Sequence, residues 1–182
     1  MNTILGGNMS SRLFQEIHLR AEELAVLNQL ARTLSTQLNV EQVFQETYQG
    51  VAQLLDARNF FIGVYDPERH EFVFPVNITE SVVDEEITVV PADQGLSGYI
   101  LKTRKPLLIK SNVDEWLEAH NMQTVGEPAA SWLGVPLMIG DDFLGVMAVQ
   151  DYQQTGTYDE HARDILSAFA SQAAIAIQNA RL

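Results

Sequence analysis

The sequence predicts an α+β fold with an antiparallel sheet at its centre, helices on one sheet face and other structure on the opposite face. Three observations predict it. Ser131–Asp151 holds two apolar runs, Trp132–Ile139 and Phe143–Gln150, joined by Gly140-Asp141-Asp142, and a Gly/Asp cluster of that length between Val/Leu/Ile/Met runs signals a hairpin. Neither run alternates apolar with polar, so both faces are covered and the hairpin belongs at the middle of a sheet. Long helical patterns stand at the two ends of the chain, with short strand and helix signals between them. Pro136 strains this reading, because it lacks a backbone donor. It requires either a bulge or a gap in the ladder beside it.

At 182 residues the chain has room for one domain with helical extensions. Its apolar fraction of 46% is ample for a packed core. A net charge of −13 disfavours nucleic acid and anionic membrane as partners, since both require basic patches. With no cysteine there are no disulfides, thiol nucleophiles, zinc–thiolate sites or thioether-linked cofactors. No apolar run approaches 18 residues and the N-terminus lacks a signal-peptide layout, so the expected setting is soluble and cytoplasmic.

In chain order, residues 1–11 contain Gly6-Gly7 without periodicity and are expected as a flexible N-terminal segment. A long helix is expected over 12–38. Positions 13, 17, 20, 24, 27, 31, 34 and 38 step by threes and fours and hold Leu, Ile, Arg, Leu, Leu, Ala, Leu and Leu. That is heptad spacing, and about 25 residues of helix, roughly 37 Å, exceed what one small core covers. A seam shared with a second chain is the favoured reading, over an amphipathic helix lying on its own sheet.

Asn39 with Gln42 suggests a capping box for a helix Val40–Leu55. Asn59–Asp66 is apolar on both faces and reads as an inner strand, Pro67 marks a tight reversal, and Glu71–Ile78 follows as a more polar neighbour. Asp84-Glu85-Glu86 reads as a solvated loop before a strand Ile87–Val90. A short helix to about Thr103 opens at Asp93–Gly98, capped by Asp93 or Ser97, with glycines that allow close approach of a backbone or ligand. Leu107–Ile109 is a short strand, and Asn112 with Glu115 caps a brief helix to about Ala119. His120–Ala130 is a loop. Thr157 and Glu160 form a capping box for a last helix, placed at 159–182, whose apolar positions run through more than half its circumference. It stops without a C-cap glycine, which points to a longer protein continuing beyond it.

Four stretches together resemble the GAF domain, a small-molecule-sensing module of signalling proteins. They are Gly95-Leu96-Ser97-Gly98 followed by Lys105-Pro106-Leu107; Ser131-Trp132-Leu133-Gly134-Val135-Pro136-Leu137; Leu144-Gly145-Val146; and Asp159 followed by Ala170–Arg181. None is specific alone, but the four fall in the family's order and spacing over about residues 20–182. The resemblance implies an α/β/α layering: about six antiparallel strands, the terminal helices on one face, and short helices and loops roofing a ligand pocket on the other. It assigns 12–182 to one domain. It also implies a homodimer through the terminal helices, here Leu13, Ile17, Leu24, Leu27 and Leu34 with Ile165 and Phe169, and an output domain such as a histidine kinase, cyclase or phosphatase C-terminal to this chain.

Enzyme signatures are missing: no Gly-x-Ser-x-Gly, no phosphate-binding Gly-x-x-x-x-Gly-Lys, no His-Glu-x-x-His. The enzymatic GAF subfamily, the free methionine sulfoxide reductases, works through cysteines, which excludes that activity here. Bilin-carrying relatives usually also attach their pigment to a cysteine. Haem-binding relatives use a roof-loop histidine, and His120 lies in that region, whereas His18, His70 and His161 are scattered. The Asn-Lys-x-x-x-Phe-x-x-x-Asp-Glu pattern of cyclic-nucleotide-binding members is not present. No cofactor is assigned and no metal is expected. The candidate ligand residues are Gly95, Ser97, Trp116, His120, Ser131 and Trp132, with the helix N-terminus at Gly95–Ser97 as an anion-tolerant wall. Core packing explains both tryptophans equally well. The expected function is a non-catalytic sensory module; the alternatives are a ligand-free dimerisation spacer and a haem sensor.

Overall fold

The computed structural model describes residues 3–36 and 39–181, with side chains from residue 9 onward. Met1, Asn2, Gln37, Leu38 and Leu182, which fall in the expected segments, lie outside the described residues. The elements run α1 (Thr3–Ser35), α2 (Val40–Leu54), β1 (Asn59–Asp66), β2 (Glu71–Thr79), β3 (Val82–Val83), β4 (Thr88–Pro91), α3 (Gly95–Thr103), β5 (Leu107–Ile109), α4 (Val113–Ala119), β6 (Ser131–Ile139), β7 (Asp142–Asp151) and α5 (Glu160–Arg181). The strands form one antiparallel sheet in the order β3-β2-β1-β7-β6-β5, with β4 also paired to β2. Seven strands stand where about six were expected, the two-residue β3 being the one that sequence reasoning missed.

The β6–β7 hairpin sits inside the sheet, as its two-sided apolar character requires, with β1 on its far side. Alternate residues serve opposite faces. Phe60, Ile62, Leu133, Val135, Leu137, Met147 and Val149 point to α1, α2 and α5, whereas Phe61, Trp132, Val146 and Ala148 point to α3 and α4. A register shift between Leu137 and Met138 places a bulge next to Pro136. In addition β5 pairs with β6 only as far as Gly134, so the ladder on that side has ended before Pro136. Bulge and gap together accommodate the missing donor.

Several caps differ from expectation. Asn39 caps α2, its side chain accepting from Glu41 N at 2.9 Å. Helix α3 starts after Gln94, which makes no side-chain cap, so neither Asp93 nor Ser97 fills that role. Asn112 has left-handed backbone (φ 53°), and its side chain donates to Glu115 Oε2 at 3.3 Å rather than capping α4. At α5 the cap is Asp159, which accepts from Ala162 N at 2.8 Å. Thr157 is displaced from that position because its hydroxyl donates to Asp151 Oδ2 at 2.9 Å.

Helix α1 begins at Thr3 and takes in most of the segment expected to be flexible. Its two halves behave differently. From Glu23 onward it lies on its own chain, with Val26 and Leu27 packed against the core and Leu30 and Leu34 each 4% exposed. Further forward it leaves the domain, and Leu13, Phe14 and Ile17 are 59%, 78% and 60% exposed. The proposed seam therefore divides. Leu34, Ile165 and Phe169 are buried in their own core, while Leu13, Ile17 and Leu24 stand free. Phe169 lies so close to Gly50 of α2 that an added Cβ would come within 2.6 Å of its ring.

Asp151 ties the end of β7 to the turn that launches α5. Burial alone would push its carboxyl up, but bonds from Gln153 N (2.9 Å), Gln154 N (3.0 Å) and the Thr157 hydroxyl, with Arg58 at 3.5 Å, outweigh burial and hold it below the ordinary value. A carboxyl lowered on folding contributes stability above its unfolded pKa, about 3.9, and loses it as pH falls through the lower folded value. Asp151→Asn is thus expected to cost about 1–3 kcal/mol at neutral pH. The gap to the parent protein should close in acid, which urea melts at pH 7, 5 and 3 will read.

Candidate functional site

A cavity of ≈ 240 Å³ lies between the sheet and the roof. Its floor is built from cross-strand neighbours: Phe61 of β1 opposite Asn77 of β2, and Trp132 of β6 opposite Gln150 of β7. Phe61 meets Phe74 edge-on at 5.4 Å between ring centroids and lies 6.4 Å from Trp132. Trp132 is 2% exposed, and its ring covers Gly134 so closely that a Cβ there would collide with the indole and approach Ile100 of α3 to 2.9 Å. A residue without a side chain at 134 is what lets the indole lie down on the sheet. The walls are the first turn of α3 (Gly95, Leu96, Ser97), Val113 and Leu117 of α4, Thr88 and Val90 of β4, and the loop Thr124–Ala129.

Three of the six ligand residues expected from sequence line this cavity: Gly95, Ser97 and Trp132. The other three do not. Ser131 is fully buried and its hydroxyl donates to Gln154 O at 3.0 Å, holding the loop after β7. Trp116 and His120 stack on each other at 3.8 Å, with Tyr99 edge-on to Trp116 at 4.9 Å. His120 Nδ1 lies 2.7 Å from Trp116 O. That group is an outward-facing brace between α3 and α4, and His120 is not among the cavity's lining residues. Sequence reasoning missed Phe61, Phe74, Asn77, Thr79, Gln150 and Tyr152. The signal available was strand alternation: if Phe60 faces the helices, Phe61 faces the opposite layer.

The polar lining is partly committed. Asn77 Nδ2 donates to Asp84 Oδ2 at 2.7 Å and Thr79 Oγ1 to the same oxygen at 3.4 Å. Gln150 Nε2 donates to the Tyr152 hydroxyl at 3.0 Å. The Tyr152 phenol is pushed up, first by burial and then by the carboxylates of Glu127, Glu80 and Asp84. Among the described residues no group of three or more His, Cys, Asp or Glu is placed to hold a metal ion. No helix among the described residues is long and apolar enough to cross a membrane.

A family model described as "GAF domain" matches residues 37–178. The chain belongs to the GAF domain family. Solved structures with the same fold include the GAF domain from an Acinetobacter phosphoenolpyruvate-protein phosphotransferase, 19% identical, covering 88% of this chain and 95% of that one at a TM-score of 0.72. Residues 122 to 287 of a methyl-accepting chemotaxis protein match at 19% identity and TM-score 0.71, covering 84% and 96%. The free methionine-R-sulfoxide reductase of Neisseria meningitidis, solved with its substrate, matches at 18% identity and TM-score 0.68, covering 88% and 91%. At these identities the likeness shows the fold. Within this GAF domain α1 before residue 37 lies outside the matched range, which is where its exposed apolar half is found.

The two tryptophans have opposite settings, and fluorescence reads them separately. With Trp116→Phe, emission from Trp132 is expected to be blue-shifted and poorly quenched by acrylamide. With Trp132→Phe, emission from half-buried Trp116 should be redder and more readily quenched. Ready quenching of Trp132 would contradict its place beneath the roof.

Proposed function

We propose that this GAF domain is a non-catalytic sensor that binds a small organic molecule between sheet and roof, dimerises through the exposed half of α1, and passes occupancy to an attached output domain. The cavity carries this reading: an aromatic floor beside convergent polar groups, under a roof of short helices and loop, has the composition of small-molecule sites. An apolar pocket meant only as core would be closed by its own side chains. The chain contains no cysteine, on which the thiol chemistry expected of the enzymatic subfamily would depend.

Strand alternation offers the coupling route. Phe61, Trp132 and Val146 on the roof side adjoin Phe60, Leu133 and Met147 on the helix side, so a change at the floor moves residues that pack on α5 and α2. A ligand that binds one roof arrangement better shifts the population of helix arrangements accordingly. Dimerisation is supported by Leu13, Ile17 and Leu24, an apolar stripe on a helix that extends beyond its own core.

Native mass spectrometry of the protein purified from its own cytoplasm should give a dimer carrying a small-molecule increment. A bare monomer would contradict both parts of the reading. Ile17→Glu, exposed in the single chain and therefore tolerated by its fold, should convert dimer to monomer at low micromolar concentration. Unchanged mass by light scattering would remove α1 from the interface.

A further inference from the structure

We propose that the cavity selects a small organic cation, a protonated amine on an apolar or aromatic body, and rejects anions of similar size. The inference rests on the cavity being the ligand site and adds the ligand's charge class. Among the described lining residues there is no Lys, Arg or His, whereas Glu127 lines the cavity from its exposed loop. Asn77 and Thr79 each turn one side-chain donor to Asp84, at 2.7 Å and 3.4 Å. Thr79 then has only acceptor oxygen left to offer a ligand, while Asn77 keeps its carbonyl oxygen as acceptor and one further N–H. Ser97, only 9% exposed, lines the same space, and its hydroxyl has no partner among the described residues. That oxygen can accept an N–H.

Aromatic faces carry negative quadrupole density and attract a desolvated ammonium. Phe61, Phe74 and Trp132 supply such faces in one cluster. The Tyr152 phenol is pushed up first by burial, which opposes charge of either sign, and then by the carboxylates of Glu127, Glu80 and Asp84, which oppose negative charge alone. One feature works the other way. The first turn of α3 has no side-chain cap and amounts to about half a positive charge. It is smaller than one full carboxylate, and it can hold a neutral acceptor on the same ligand. A volume of ≈ 240 Å³ has room for roughly eight waters at about 30 Å³ each, or an organic molecule of about ten heavy atoms.

Isothermal titration with three probes of matched size tests this: 2-phenylethylamine (cation), 2-phenylethanol (neutral) and phenylacetate (anion). The amine should bind about tenfold more tightly than the alcohol, with phenylacetate weakest, and its advantage should shrink with added salt. Glu127→Gln should reduce the amine's advantage over the alcohol severalfold. Phenylacetate binding as tightly as the amine, or an amine advantage untouched by both Glu127→Gln and Asp84→Asn, would overturn the charge class while leaving the cavity as a ligand site. Binding by none of the three would overturn the cavity reading as well.

Discussion

β7 is bonded on both sides and covered on both faces, and where it meets β1 there is no room for a side chain. A Cβ at Gly145 would run into the Gly63 carbonyl. Gly63 itself lies under the Phe74 ring, with an added Cβ only 2.7 Å from it. This close approach fixes the distance between the two central strands. Through them it fixes the spacing of the Phe61–Phe74–Trp132 floor on one face and of the seats for α2 and α5 on the other. Neither layer can be repositioned without disturbing the same pair of strands.

The two layers on this sheet are unequally secured. On the helix side one continuous apolar cluster joins α1, α2, α5 and four strands, from Leu30 to Ile177. Partly buried hydrogen bonds bracket it, including Tyr158 OH to Asp56 O at 2.8 Å and the Asp151 bonds. On the roof side a smaller cluster holds α3 and α4, and the loop 123–128 is exposed throughout. A rigid floor beneath a lightly held roof is the arrangement a binding module requires, since its closing parts are drawn from the low-stability end of the structure.

The fold was largely legible because it follows from local pattern. β1 and β5 have the boundaries their composition predicts, and α2 ends one residue before its expected limit. What escaped was set by register and by partners distant in sequence. The bulge after Leu137 shifts the hairpin pairing by one, so counting straight back from the turn pairs Ser131 with Gln150. In fact Trp132 is the residue facing Gln150, and a one-residue slip exchanges the faces. Ser131 and Trp132 are neighbours in β6, so alternation turns Trp132 to the cavity and Ser131 away from it. Thr157 has the sequence of a cap, yet Asp151 claims its hydroxyl, a competition no capping pattern contains. In α1 the stripe of threes and fours runs past the end of the domain's own core, so Leu27 and Leu34 are spent there while Leu13 and Ile17 are left exposed.

Amide hydrogen exchange, followed by mass spectrometry on the ligand-free protein, tests most directly whether a fixed sheet carries a separately opening roof. Amides of β7 and of buried α5 should exchange only with global unfolding. Those of α4 and residues 123–128 should exchange on the order of a hundredfold faster through local opening. Uniform protection across sheet, α5 and α4 would mean that roof and sheet open as one unit, and would contradict a cavity gated by its roof.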